Sequence, residues 1–182
     1  MKKNFYFVLF LLIFGASSNL FAQYDNNWAI GFRAGEPLGI NVRKYFDGGN
    51  KAFDANVGTY GFIYGRQRKY NKGYYKTAGL MVQGIYSWHT TVLNRDWFHV
   101  YYGFGGQINS RNHYPNSRIG QLDDTERKIS LGPTGAAGIE IKIPNQDLAF
   151  FLDGGAYLEA LPAPFFYNWQ VSGGVRLNLI RP

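Results

Sequence analysis

From Gln23 onward, apolar residues alternate with small or polar ones, and no stretch keeps the 3.6-residue spacing of a helix. Over 98–108, Phe98, Val100, Tyr102, Phe104 and Ile108 fall on one face, and His99, Tyr101, Gly103, Gly105 and Gln107 on the other. Successive side chains of a strand point to opposite sides, so a period of two predicts a strand with one greasy face. The same period sets Ile139, Ile141 and Ile143 against Thr134, Gly138, Glu140 and Lys142 within 133–143. Near the C-terminus it sets Trp169, Val171, Val175, Leu177 and Leu179 against Gln170, Ser172, Gly174, Arg176 and Asn178. Weaker alternation over 28–35, 39–46, 52–64, 76–90 and 148–159 brings the expected number of strands to eight.

The connections alternate in length as well. Asp47–Asn50, Asn94–Asp96 and Pro144–Asp147 are short and rich in turn-forming residues. Gly65 to Tyr74, Asn109 to Ser130 and Glu159 to Phe165 read as longer loops, whereas the first connection on that side, Gly35 to Gly39, is short. Tight turns on one rim and long loops on the other are the habit of outer-membrane barrels. The expected fold is therefore all-β: an eight-stranded antiparallel up-and-down transmembrane β-barrel.

Alternation alone does not say which face points outward, because a soluble lipocalin-type barrel shows the same period with the faces exchanged. The residue types on the two faces favour lipid outside. Arg33, Arg43, Asp54, His99, Glu140, Asp153 and Arg176 share the small or polar face, and the interior of eight strands is narrow enough for side chains to fill. They are expected to form a polar cluster in the lumen. Trp28, Tyr86, Trp88 and Trp169 fall on the apolar face near strand ends, where interfacial aromatic girdles sit. Lys44 shares that face, close enough to the Asp47 turn to reach headgroups.

The N-terminus changes the picture from fold to destination. Lys2 and Lys3, an apolar run from Phe5 to Phe14 and a small residue at Ala22 make a three-part secretory signal peptide over 1–22, too short to span a bilayer. Residues 23–182 are then one barrel domain. The chain has 0 Cys, which removes disulfides and thiolate metal sites. Aromatic residues make up 18% and charged residues 17%, a lean charge content for a water-facing surface. Loss of Lys2 and Lys3 lowers the formal charge from +7 to +5 without any long run of like charge, so no nucleic-acid partner is expected.

Three segments carry a family resemblance: Gly31 to Tyr45 (GFRAGEPLGINVRKY), Tyr101 to Gly106 (YYGFGG) and Gly135 to Ile141 (GAAGIEI). They look like the small outer-membrane β-barrel proteins common in Bacteroidetes, similar in type to the OmpA-like and OmpX-like barrels. The resemblance spans nearly all of residues 23–182 and implies location in the outer membrane of a Gram-negative bacterium. It carries no catalytic signature. The chain departs from the pattern in ending Leu179-Ile180-Arg181-Pro182 rather than on an aromatic, and in having no peptidoglycan-binding domain after the barrel.

Candidate chemistry is sparse. His89, His99 and His113 are the three histidines, and none has a serine or carboxylate at a nucleophile spacing. His99 faces the lumen and is expected to approach Glu140, whereas His89 and His113 are expected at an interface or in a loop. Asp123, Asp124 and Glu126 lack a calcium-loop pattern, and no metal or other cofactor is expected. Arg66, Arg68, Lys69 and Lys72, interleaved with Tyr70, Tyr74 and Tyr75, form a basic loop suited to lipopolysaccharide phosphates. The expected role is non-enzymatic: a plugged barrel with a structural part to play, or loops that meet lipopolysaccharide or a surface protein partner. The alternatives are a lipid A-modifying enzyme and a soluble periplasmic barrel that binds a hydrophobic ligand.

Overall fold

A computed structural model of the chain describes residues 27–61, 69–70, 73–92, 95–114, 126–144 and 146–179. The signal peptide expected over 1–22 lies outside them. The described residues form strands β1 (Trp28–Gly35), β2 (Leu38–Phe46), β3 (Lys51–Tyr60), β4 (Lys69–Tyr70), β5 (Gly73–Thr91), β6 (Phe98–Tyr114), β7 (Glu126–Lys142), β8 (Leu148–Leu158) and β9 (Tyr167–Asn178), with no helix. β4 is a two-residue stub paired with the start of β5. The other eight build the wall. Each pairs antiparallel with its neighbour along the chain, β9 returns to β1, and a ladder from Lys51↔Trp88 to Tyr60↔Gly79 joins β3 to β5 and closes the ring. The fold is a closed eight-stranded antiparallel up-and-down β-barrel.

One rim, the turn rim, carries the short connections after β2, β5 and β7, together with the start of β1 and the end of β9. The other, the loop rim, carries the remaining connections. At the β2–β3 turn, Asp47, Gly48 and Gly49 take φ of 55°, 65° and 83°. Glycine enters that region without steric cost and Asp tolerates it, and the turn is held by Gly49 N–H to Phe46 O at 3.1 Å and Asn50 N–H to Asp47 O at 3.1 Å.

The strands overrun some expected boundaries. The anticipated loop from Asn109 to Ser130 is strand at both ends, since β6 and β7 stay paired from Phe98↔Ile141 up to His113↔Glu126. Apolar alternation stops after Ile108, but the ladder is made by backbone N–H and C=O groups and continues through a polar sequence. β5 likewise begins at Gly73 rather than 76, and β3 ends at Tyr60 rather than 64, just before Gly61 at φ 88°.

The two faces have opposite character. Phe32, Ile40, Phe104, Ile129, Leu152, Trp169 and Val171 are exposed on the outer wall, with Phe104 66% accessible, whereas Arg43, Gln107, Glu140 and Arg176 point inward and are buried. Interior space is tight. A Cβ on Gly174 would lie 2.7 Å from Phe151 Cζ and would also strike the Phe32 carbonyl, so glycine here is what admits the Phe151 ring. Gly174→Leu is therefore expected to prevent closure, read as loss of the faster-migrating unboiled band in gel electrophoresis of refolded protein.

Candidate functional site in the filled lumen

The lumen is filled in layers, each made by inward positions of several strands. Near the turn rim, Arg43 of β2 donates through Nε to Asp54 Oδ1 at 2.7 Å and through Nη2 to Asp54 Oδ2 at 2.8 Å, a bidentate pair with the adjacent strand β3. Its Nη1 crosses the barrel to Glu140 Oε2 of β7 at 2.8 Å. Glu140 Oε2 also accepts from Arg176 Nη1 at 2.7 Å, and the Tyr45 hydroxyl donates to Glu140 Oε1 at 2.9 Å. Arg43 Nη1 lies 2.8 Å from His89 Nε2. A guanidinium only donates, so Nε2 accepts and the ring proton sits on Nδ1.

A second ion pair lies a layer further from the turn rim. Arg33 Nη2 donates to Asp153 Oδ1 at 2.7 Å, Ser172 Oγ donates to the same oxygen at 2.6 Å, and the Tyr101 hydroxyl donates to Asp153 Oδ2 at 2.8 Å. The Phe151 ring fills the space between the two groups, with the Arg176 guanidinium carbon 3.7 Å from its centroid and that of Arg33 at 5.3 Å. Arg33, Arg43 and Arg176 face Asp54, Glu140 and Asp153, so the formal charges of this cluster cancel.

Amides take over above the ions. Asn41 Nδ2 joins Asp54 Oδ1 at 2.9 Å to Asn56 Oδ1 at 2.8 Å, and Asn56 Nδ2 donates to Gln83 Oε1 at 2.8 Å. Gln83 Nε2 reaches Gln107 Oε1 at 2.8 Å and, from the opposite wall, Gln170 Oε1 at 3.1 Å. Gln107 then bonds Asn109, which bonds Ser130, whose hydroxyl also accepts from Tyr157. A continuous run of hydrogen bonds thus leads from Glu140 to the loop-rim end. There Arg111 Nη1 pairs with Glu159 Oε2 at 3.0 Å, and its guanidinium lies over the rings of Tyr60 at 5.0 Å and Phe166 at 5.4 Å. A cavity of about 10 Å³ among Arg33, Asp54, Ser87, Tyr101 and Asp153 is about the size of one water, not of a passage.

Of the lumen residues expected from sequence, Arg33, Arg43, Asp54, Glu140, Asp153 and Arg176 meet in this network. His99 stands apart. It is half-buried opposite Glu140 in the β6–β7 ladder, but the histidine bonded into the ion cluster is His89. His89, expected at an interface or in a loop, is in fact buried at an inward position of β5. Trp28, Tyr86, Trp88 and Trp169 point outward, with Trp28 beside Lys44 in the ladder and the Lys44 ammonium 4.9 Å from its ring centroid. Of the basic loop, Arg66, Arg68 and Lys72 lie outside the described residues, as do Asp123 and Asp124 and the side chains of Lys69, His113 and Glu126.

Sequence reasoning passed over Tyr45, Tyr101, Asn41, Asn56, Gln83, Gln107, Gln170 and Ser172 as members of the cluster. Their signal was present in the parity: Gln83, Ser87 and His89 alternate with Val82, Tyr86 and Trp88, and so belong to the inward face. Removing one partner of a buried ion cluster leaves the others uncompensated. Glu140→Ala is expected to destabilise by about 3–5 kcal/mol. Tyr45→Phe, which removes only a neutral donor, is expected to cost about 1 kcal/mol. Urea midpoints of the two refolded variants check the ranking.

No protein-family model matches the chain, and no curated protein matches it. Solved structures do. The N-terminal β-barrel domain of Pseudomonas aeruginosa OprF superposes with a TM-score of 0.58 at 11% identity, covering 85% of this chain and 98% of that domain. Neisserial surface protein A (NspA) superposes with a TM-score of 0.50 at 10% identity, covering 84% of this chain and 94% of NspA. At such identities the likeness is one of architecture, and the chain shares with both a small eight-stranded barrel fold.

Proposed function

We propose that the chain is an integral β-barrel protein of a Gram-negative outer membrane, non-enzymatic, with a lumen closed by side chains and a structural or surface-interaction role. The observation that carries this is the inverted partition of the wall: large apolar residues outside, ion pairs and amides inside. In water, an outer wall bearing Phe32, Ile40, Phe104, Leu152 and Val171 forms an apolar patch far larger than soluble monomers tolerate. In hydrocarbon the same wall is solvated, and a closed sheet is the one kind that satisfies every backbone group there. The dimensions agree. On β9 the outward apolar positions run from Tyr167 to Leu177, about 33 Å along the strand at ~3.3 Å per residue, or about 25 Å of height at a tilt near 40°.

A soluble barrel with a hydrophobic ligand needs an apolar interior, whereas this one is lined by Arg43, Glu140, Arg176 and Gln107. A lipid A-modifying enzyme needs a base open to substrate, and His89 is sealed inside with Nε2 engaged by Arg43. On this proposal residues 1–22 are the signal peptide cleaved after Ala22, the turn rim faces the periplasm, and the chain is a barrel of the small type common in Bacteroidetes. The basic run Arg66, Arg68, Lys69 and Lys72 is, by its charge in the sequence, the proposed contact for lipopolysaccharide phosphates.

The purified protein in detergent is expected to migrate differently before and after boiling, and to fractionate with the outer membrane. Liposomes containing it are expected to swell in small sugars no faster than empty ones. Rapid swelling would remove the closed-lumen role, and recovery in the soluble periplasm would remove the membrane assignment.

A further inference from the structure

Two cations break the apolar outer wall close to the turn rim, and the ladder sets both among aromatic rings. Lys44 lies directly between Trp28 of β1 and Phe53 of β3, and Lys51 directly between Phe46 of β2 and Trp88 of β5. Because Lys44 opposes Phe53 and Lys51 stands two residues before it, the two lysines are diagonal neighbours on one face. Diagonal positions are about 7–8 Å apart, within convergence distance of two long side chains. Lys51 Nζ also holds Asp47 Oδ2 at 2.6 Å, but both groups are substantially exposed, and exposed pairs contribute little and exchange readily.

The rest of that rim differs. Outward wall positions there, such as Ile141, Leu148, Leu177 and Leu179, carry no cation among the described residues, and the exposed Arg95 belongs to the β5–β6 turn rather than to the wall. The wall thus offers one place where two lysines stand as diagonal neighbours on the outer face near the turn rim, flanked in the ladder by Trp28, Phe46, Phe53 and Trp88.

We propose that Lys44 and Lys51 form a binding site for the headgroup of an anionic phospholipid in the leaflet at the turn rim. The lipid phosphate lies between the two ammoniums, and an acyl chain runs along Phe53 and Val57 toward the loop rim. Charge complementarity selects the lipid: zwitterionic headgroups bring a phosphate together with a compensating ammonium, and anionic ones do not. Each cation beside an anionic headgroup enriches it by a factor on the order of five. The site rests on the membrane assignment made above, since it needs the outer wall to face lipid.

The test is fluorescence quenching by brominated lipid. The protein, with Trp88, Trp97 and Trp169 changed to Phe so that Trp28 reports alone, is refolded into phosphatidylcholine vesicles. These contain an equal minor fraction of brominated phosphatidylglycerol or brominated phosphatidylcholine. Stronger quenching by brominated phosphatidylglycerol is expected, falling to parity in K44Q/K51Q and persisting in K44R/K51R. Equal quenching in the parent, or a preference that survives K44Q/K51Q, overturns the site while leaving the membrane assignment standing. No quenching even in fully brominated phosphatidylcholine overturns that assignment itself. If the single-tryptophan chain does not refold, the same comparison on the native chain with its four tryptophans decides between parity and preference.

Discussion

Closure of the ring by the β3–β5 ladder ties the first hairpin to the long strands β5 and β6, and the remaining features of the molecule follow from that closure. An open eight-stranded sheet has two edges whose N–H and C=O groups seek partners; a closed one has none. Closure also fixes the inside volume. Eight strands leave a core just wide enough for side chains, so every inward residue meets one from the opposite wall. Arg43 reaching Glu140 and Gln83 reaching Gln170 are direct consequences, because each pair stands four strands apart around the ring.

Burying ions in such a core is costly, and a buried ion pair is weak evidence for stability. What the cluster does supply is register. A one-residue slip of any strand turns its whole inward set to the outside. A slipped β2 would carry Asn41, Arg43 and Tyr45 onto the apolar wall, and would strand Asp54 and Glu140 without their cation. The polar interior thus penalises misalignment at every layer, from the Arg43 group through the glutamines to Arg111 and Glu159. Aromatic rings inside serve the same end: the Phe151 ring lies under the Arg176 guanidinium carbon, and Gly174 opposite leaves the room for it.

The two rims divide the labour differently. The turn rim is short and regular, with Asp47, Gly48 and Gly49 folded into positive φ and Lys44 and Lys51 on the wall beside them. At the loop rim β5, β6 and β7 continue past the apolar band, carrying polar ladder pairs such as Asn112↔Arg127 beyond Leu80 and Ile129. A wall that outgrows its apolar band on one side suits projection into water from a membrane surface.

The order of the strands, their parity and most of their limits were legible in the chain, because a period of two is a local property that backbone geometry imposes on any half-buried strand. The same parity separated Arg33, Arg43, Asp54, Glu140, Asp153 and Arg176 from the wall residues. Partnership was not legible. Which partner each arginine meets depends on the stagger of strands far apart in sequence, as with Arg33 and Asp153 or Arg176 and Asn41. His89 rather than His99 joins the cluster for the same reason: both face inward, but only His89 stands at the height where the Arg43 guanidinium arrives. The polar continuation of β6 and β7 likewise escaped the pattern, since hydrogen bonding between backbones leaves no mark in side-chain hydropathy. Sequence by itself therefore determined that strands exist and which way their side chains point. Tertiary structure alone decided how far β6 and β7 run beyond the apolar pattern and whom the side chains meet, because ring closure and register are properties of the whole sheet.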